Sequence, residues 1–275
     1  ILAMRRDCQK HHDNLRRALM FEPRGHKDMY GAIITKPERL DSHFGAIFIH
    51  NEGYSTMCGH AVIALAKCAV ESGAVKQTAE VTSVVIDVPC GQIRAKAIAQ
   101  NFPHNTSITQ VSFESVPSFV FTQGLMVEVP EVGTIKVDIA FGGAFYAYVD
   151  ANKLGLDLTT DNYRLLIQKG MDIKHAVMAS SDLIQHPFEA DLSFLYGTIF
   201  IGGPVSEGID SRNVCIFAEG EVDRCPTGSG VSGRMPIHYA RQESSIGETM
   251  TIESITGSVF TGSVVKSLKF GAFDA

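Results

Sequence analysis

Chemistry in this chain concentrates on a cysteine, in Ser55-Thr56-Met57-Cys58-Gly59-His60-Ala61-Val62. The run that follows, Ala61 to Glu71, is apolar and rich in alanine, so Cys58 stands where a helix begins. The first amides of a helix lack intrahelical acceptors and the dipole there is positive. A thiol so placed ionises more readily than a free one and acts as a base or nucleophile. A glycine next to it lets an anion approach the backbone closely. A second turn of this kind follows 169 residues later, in Asp223-Arg224-Cys225-Pro226-Thr227-Gly228-Ser229-Gly230-Val231. Aligned without gaps, Cys58-Gly59-His60-Ala61-Val62 falls on Thr227-Gly228-Ser229-Gly230-Val231. Two such turns facing each other would hold one small carboxylate. On residue types alone the alternative stays open that Cys58 is a buried cysteine and the glycines only shape turns.

Those turns need elements to position them. Helical periodicity covers 5–20 and ends at Phe21-Glu22-Pro23-Arg24-Gly25-His26, where Pro and Gly break it. Strands are expected over 29–35 and 45–50, delivering the chain through Asn51-Glu52-Gly53-Tyr54 to Cys58. The helix from Gly59 should end near Ser72-Gly73. Strands over 81–88 and 92–99 flank Pro89-Cys90-Gly91, and 109–114 and 119–121 continue the β pattern. Character changes near Ser115-Val116-Pro117-Ser118, dividing the chain into halves 1–115 and 116–275. In the second half, strands are expected over 133–141, 144–149, 196–201, 213–218, 249–253 and 263–270, with a helix over 161–178. A more polar helix over 231–242 carries Pro236. Each half thus has a strand, a Gly-containing turn and a helix, as an internal duplication would give.

Composition excludes several classes. Of 275 residues, 45% are hydrophobic and 20% charged, with a net charge of −6, ordinary for a soluble globular protein. No basic stripe suggests nucleic acid, and no apolar run reaches membrane-spanning length. Six cysteines stand at 8, 58, 68, 90, 215 and 225, none in Cys-x-x-Cys spacing, so neither a disulfide scaffold nor a metal site is expected. A reduced, cytoplasmic protein is the expectation.

The motifs Glu22-Pro23-Arg24-Gly25-His26-x-Asp28-Met29-Tyr30-Gly31, Asn51 through His60, Asp223-Arg224-x-Pro226-Thr227-Gly228-Ser229-Gly230 and Gly257-Ser258-Val259-Phe260-Thr261-Gly262 occur in this order. Together they resemble the proline racemase family over essentially the whole chain, and within it the branch that dehydrates trans-3-hydroxy-L-proline. The resemblance implies an α/β (α+β) fold of the diaminopimelate-epimerase type. It has two pseudo-symmetric halves, each a mixed sheet wrapped on a central helix, with the active site in the cleft between them. Racemases of the family carry a cysteine in each turn. Here the first is Cys58 and the second position is Thr227, the dehydratase pattern. The chemistry agrees: a threonine hydroxyl is far too weak an acid to pair with a thiolate near neutral pH, whereas a thiol sits near ~8.5 before any tuning. Abstraction on one face remains, and loss of a neighbouring hydroxyl becomes the exit.

The resemblance implies roles by residue. Cys58 is the general base. Gly59 and His60 from one turn, and Gly228 and Ser229 from the other, give amides to the substrate carboxylate. Asp223 holds the protonated ring nitrogen, with His60 sharing this role, while Tyr30 and Phe217 wall the pyrrolidine ring. Thr227 faces the substrate. No cofactor and no metal is implied, the partner is a small imino acid, and a homodimer is the assembly expected. The run around His26 is read as a structural turn bearing on the cleft. Cys225, two residues before Thr227, is offset too far to act as second base, and its oxidation with Cys58 is an alternative fate. The family's His-Thr-Gly-Gly-Glu-Pro strand and its last strand are not in these 275 residues, so terminal strands are expected beyond them. Competing readings are a proline or hydroxyproline racemase or epimerase, a family member that only binds, and a cysteine hydrolase. The hydrolase lacks an evident His-Asn/Asp relay beyond His60.

Overall fold

The computed structural model describes residues 1–180 and 184–275. It divides into two compact units, Ile1–Val116 and Pro117–Ala275. The first contains α1 (Leu2–His11), α2 (Asp13–Met20), β1 (Tyr30–Thr35), β2 (Phe44–His50), β3 (Gly53–Ser55), α3 (Gly59–Glu71), β4 (Val81–Val88), β5 (Gly91–Ile98) and β6 (Gln110–Glu114). The second contains β7 (Phe119–Val129), β8 (Gly133–Phe141), β9 (Phe145–Asp150), α4 (Tyr163–Ser180), β10 (Leu195–Gly202), β11 (Ser211–Phe217), β12 (Glu221–Val222), α5 (Gly228–Ala240), β13 (Thr249–Glu253), β14 (Val259–Ser263), β15 (Lys269–Phe270) and β16 (Phe273–Asp274).

The units repeat one connection. In the first, β2 pairs antiparallel with β1 and β3 and parallel with β4, which pairs antiparallel with β5. In the second, β11 pairs antiparallel with β10 and β12 and parallel with β13, which pairs antiparallel with β14. Each time the helix lies between the short strand and the parallel one: α3 after β3, α5 after β12. The antiparallel pairs β7–β8 and β8–β9 extend the second sheet, and β9 joins β10 in parallel.

The repeat extends to a pair of buried carboxylates. At matching steps of the two parallel ladders, Gly45 faces Asp87 and Arg212 faces Glu253. Asp87 accepts from the amides of Glu38 and Arg39, at 2.8 and 2.9 Å, and from Ser42 Oγ at 2.9 Å. Glu253 accepts from the amides of Val205 and Ser206, at 2.5 and 3.4 Å, and from Arg212 Nε at 3.0 Å. Each carboxylate therefore clamps two successive amides in the loop before the strand it faces across the parallel ladder, β2 in the first unit and β11 in the second. Burial pushes the Glu253 carboxyl up, but the Val205 and Ser206 hydrogen bonds and the Arg212 guanidinium outweigh it and hold it at about 2. A folded value below the unfolded one means stability that is present above about 4.3 and lost as pH falls toward 2. Removing one partner of such a pair leaves the other charge buried. We therefore expect Glu253→Gln to cost roughly 3–5 kcal/mol in urea unfolding. A change under 1 kcal/mol would contradict the clamp.

The single helix expected over 5–20 is two, parted at His12, whose amide donates to the Cys8 carbonyl. The buried guanidinium of Arg16 explains the break. It bonds Asp13 and the carbonyls of His50 and Asn51, and so fixes α2 on the β2–β3 hairpin. Around it Ile1, Met20, Ile47, Ile49 and Tyr54 form a core. The turn through His26 is structural: Asn51 Nδ2 donates to the carbonyls of Met20 and His26, while Asn51 Oδ1 accepts the Met29 amide.

Three other expectations are corrected. Strand β7 runs to Val129 instead of 121, with register shifts that the alternation rule does not anticipate. The strand expected over 263–270 is displaced: β14 ends at Ser263, and only Lys269–Phe270 of the remainder is extended, paired with β16. Helix α5 starts at Gly228 instead of 231 and continues through Pro236. Glycines are poor helix formers, but here they permit contact. A Cβ on Gly142 of the sheet would lie 2.1 Å from the Ser229 carbonyl, and one on Gly233 would lie 2.4 Å from Tyr148 Oη. Burial along most of α5 outweighs its weak propensity.

Candidate active site

Cys58 is the N-cap of α3, with ordinary extended backbone at φ −144° and ψ 101°. Its Sγ accepts from the Ala61 amide at 3.4 Å. The sulfur thus stands at the positive end of the helix dipole, half-buried, as the sequence places it. Before it, Ser55 Oγ donates to the Met57 carbonyl at 2.8 Å, so the turn is closed locally. Gly59 and His60 are the first two helical residues, whose amides have no intrahelical acceptor. The His60 side chain is exposed. Tyr30 lies on β1 opposite His50, and their rings stack at 5.6 Å.

In the second unit Thr227 opens α5, with Gly228 and Ser229 as its first two residues. Here the repeat departs from symmetry. Thr227 has φ +67° and ψ 100°, and its side chain makes no capping bond to its own helix. A threonine at an N-cap ordinarily gives its oxygen to a first-turn amide. Instead Thr227 Oγ1 donates to Asp223 Oδ2 at 2.9 Å. The other carboxylate oxygen accepts the Cys225 amide at 3.0 Å, and Cys225 Sγ accepts the Thr227 amide at 3.3 Å. Three alternate residues close a ring. It holds a β-branched residue in a backbone region that costs on the order of 1–3 kcal/mol. Because the hydroxyl is diverted, it caps none of the first amides of α5. The ring thus engages both oxygens of the Asp223 carboxylate. The Arg224 carbonyl in turn accepts from Ser254, Thr256 and Ser258 hydroxyls at 2.8, 2.7 and 2.9 Å, which ties the Gly257-to-Gly262 motif to this turn.

Phe217 closes β11, buried against Tyr196 at 5.5 Å between ring centroids. The next residue, Ala218, has its carbonyl held by the buried Lys174 of α4. Residues missed from sequence support α5. Tyr146 Oη lies 2.8 Å from Ser229 Oγ, and Tyr148 Oη donates to the Gly230 carbonyl at 2.8 Å. Burial pushes both phenols well above their ordinary value, so they act as neutral hydrogen-bonding groups. The period-two pair in Tyr146-Ala147-Tyr148 was the available signal, since both rings must leave the strand on one face.

His238, near the end of α5, adds a pH dependence. Its Nε2 accepts from Arg234 and its Nδ1 donates to Glu243. Desolvation, then the Arg234 charge, push its value down against the opposing pull of Glu243. The folded state thus binds fewer protons than the unfolded one, whose histidine titrates near ~6.5. Stability is full above that value and falls as pH drops below it. We expect a lower melting temperature at pH 5.5 than at 7.5, with a smaller difference in His238→Gln. An equal difference in both proteins would assign the effect elsewhere.

A family model described as proline racemase matches residues 1–275. The chain belongs to the proline racemase family. Among its relatives, a trans-3-hydroxy-L-proline dehydratase of Colwellia psychrerythraea is 58% identical over 275 residues, covering 100% of this chain and 76% of that protein. The Homo sapiens trans-3-hydroxy-L-proline dehydratase is 45% identical over 280 residues, covering 100% of this chain and 78% of that protein. Among solved structures, a hydroxyproline epimerase of Agrobacterium vitis with bound trans-4-hydroxy-L-proline matches with TM-score 0.87 and 26% identity, over 95% of this chain and 75% of that one. The fold of this proline racemase family member is thus the diaminopimelate-epimerase-like one implied by its motifs. Among the described residues no helix is long and apolar enough to cross a membrane.

Proposed function

We propose that this chain is a hydro-lyase that converts trans-3-hydroxy-L-proline to Δ1-pyrroline-2-carboxylate and water without a cofactor. The observation that carries the reading is Thr227 at the position topologically equivalent to Cys58, with its hydroxyl committed to Asp223. One turn then supplies a base and the other does not. The dehydratase names of relatives at 58 and 45% identity support the same substrate.

The reading has both turns serve one substrate. The Cys58 thiolate takes the α-proton. The electron pair left on that carbon forms the bond to C3 as the C3–O bond breaks. The departing hydroxide takes a proton and leaves as water, and the enamine product moves its N–H proton to C3 to give the imine. Amides of Gly59 and His60, with those of Gly228 and Ser229, hold the carboxylate and stabilise the charge that grows on it as the α-proton leaves. Asp223, aided by His60, keeps the ring nitrogen protonated, which acidifies the α-proton. Tyr30 and Phe217 wall the ring and exclude water. None of the six cysteines is in a disulfide, which fits a reducing compartment, and we place the enzyme in the cytoplasm, as a homodimer.

Proton NMR tests the reading. Trans-3-hydroxy-L-proline should disappear with appearance of the pyrroline product. Its unchanged recovery, or conversion to an epimer with the hydroxyl retained, would overturn it.

A further inference from the structure

The positive φ of Thr227 is set by the orientation of the Pro226–Thr227 peptide plane, and both polar edges of that plane are held. The Pro226 carbonyl accepts from Asn213 Nδ2 at 3.1 Å. The Thr227 amide donates to Cys225 Sγ at 3.3 Å. Asn213 lies on β11, is 0% exposed, and is itself oriented: its Oδ1 accepts from Arg234 Nη1 at 2.8 Å. A guanidinium only donates, so Asn213 must turn its oxygen to Arg234 and its NH2 to Pro226. Arg234 is buried within α5, with Nη2 on Ser211 Oγ at 2.8 Å and Nε on His238 Nε2 at 3.0 Å.

We propose that Asn213, oriented by Arg234, is a positioning residue for the reaction: it clamps the Pro226–Thr227 plane and thereby keeps the Thr227 hydroxyl on Asp223. Without the clamp the plane can rotate and Thr227 relaxes to the extended backbone of an ordinary N-cap. Its hydroxyl then turns to a first-turn amide of α5. The turn changes from an anion-binding one into a self-capped one. The kinetic consequence rests on the proposed dehydration; the conformational consequence stands without it.

Asn213→Asp tests this. It keeps the shape and the acceptor for Arg234, but sets an oxygen against the Pro226 carbonyl. A crystal structure of the variant should show Thr227 at negative φ with Oγ1 on an amide of α5. The KM for trans-3-hydroxy-L-proline should rise by about tenfold or more, as lost carboxylate binding requires. A purely structural residue would lower the melting temperature and leave KM alone. Unchanged KM with Thr227 still at positive φ overturns the proposal. Should that variant fail to fold, Asn213→Ser removes the Nδ2 donor to the Pro226 carbonyl without adding a charge, with the same expected shift and the same contradicting result. If the unaltered protein does not turn over the substrate, the dehydration reading fails, and the Thr227 φ in the variant still decides the clamp.

Discussion

Cys58→Ser should lower dehydration of trans-3-hydroxy-L-proline by roughly 10³-fold or more, the scale of a lost general base. Serine is the informative replacement. Its hydroxyl can still accept the Ala61 amide that Cys58 Sγ accepts at 3.4 Å, and serine is a preferred N-cap residue. Helix α3 and its buried face of Val62, Ala66, Ala69 and Val70 should therefore stay in place, and the melting temperature should not fall. What is lost is ionisation: a thiol titrates within reach of neutral pH and an alcohol does not. Steady-state kinetics beside a melting curve separates the two. Activity within tenfold of the unaltered enzyme would mean that another group takes the α-proton. A collapse in melting temperature would mean that the sulfur is chiefly structural.

Thr227→Cys should place a thiol at the N-cap of α5, matching Cys58 at the N-cap of α3. We expect D-proline to form from L-proline at a rate ~10²–10⁴-fold above that of the unaltered protein, and dehydration to fall. The change is also conformational. The Thr227 hydroxyl donates to Asp223 at 2.9 Å and helps hold φ at +67°. A thiol is a weaker donor, so the turn at position 227 is freer to relax. A chiral amino-acid assay reads the outcome. No D-proline, with the variant folded, would show that the geometry of the turn, beyond the identity of the side chain, bars inversion.

Much of this was legible in the residues. Cys58 as N-cap of α3 follows from an apolar, alanine-rich run opening on Gly59, and the strands over 81–88, 133–141 and 249–253 follow from β-rich runs bounded by turns. The repeat was visible in the two turns alone, and the topology extends it to the strands on either side. What stayed hidden was set by tertiary contact. Nothing local announces that Arg16 would part α1 from α2, since two of its acceptors, the His50 and Asn51 carbonyls, lie more than thirty residues away. The start of α5 at Gly228 was obscured because its glycines serve contact with Gly142 and Tyr148 instead of helix propensity. The asymmetry between Cys58 and Thr227 was equally hidden. The ungapped match of the two turns implies like backbones, while the ring through Asp223, Cys225 and Thr227 imposes different ones. Asn213 reads as one polar residue in a strand until its amide is seen between Arg234 and Pro226.

The proposed site has one base. The most direct test incubates the protein with L-proline in deuterium oxide, with trans-3-hydroxy-L-proline in a parallel sample to establish turnover. We expect pyrroline product in the parallel sample, and in the first only L-proline, with any deuterium at its α-carbon entering on the original face. Deuterated D-proline would contradict it, because inversion needs an acid on the second face and Thr227 would have to be supplying or replacing one.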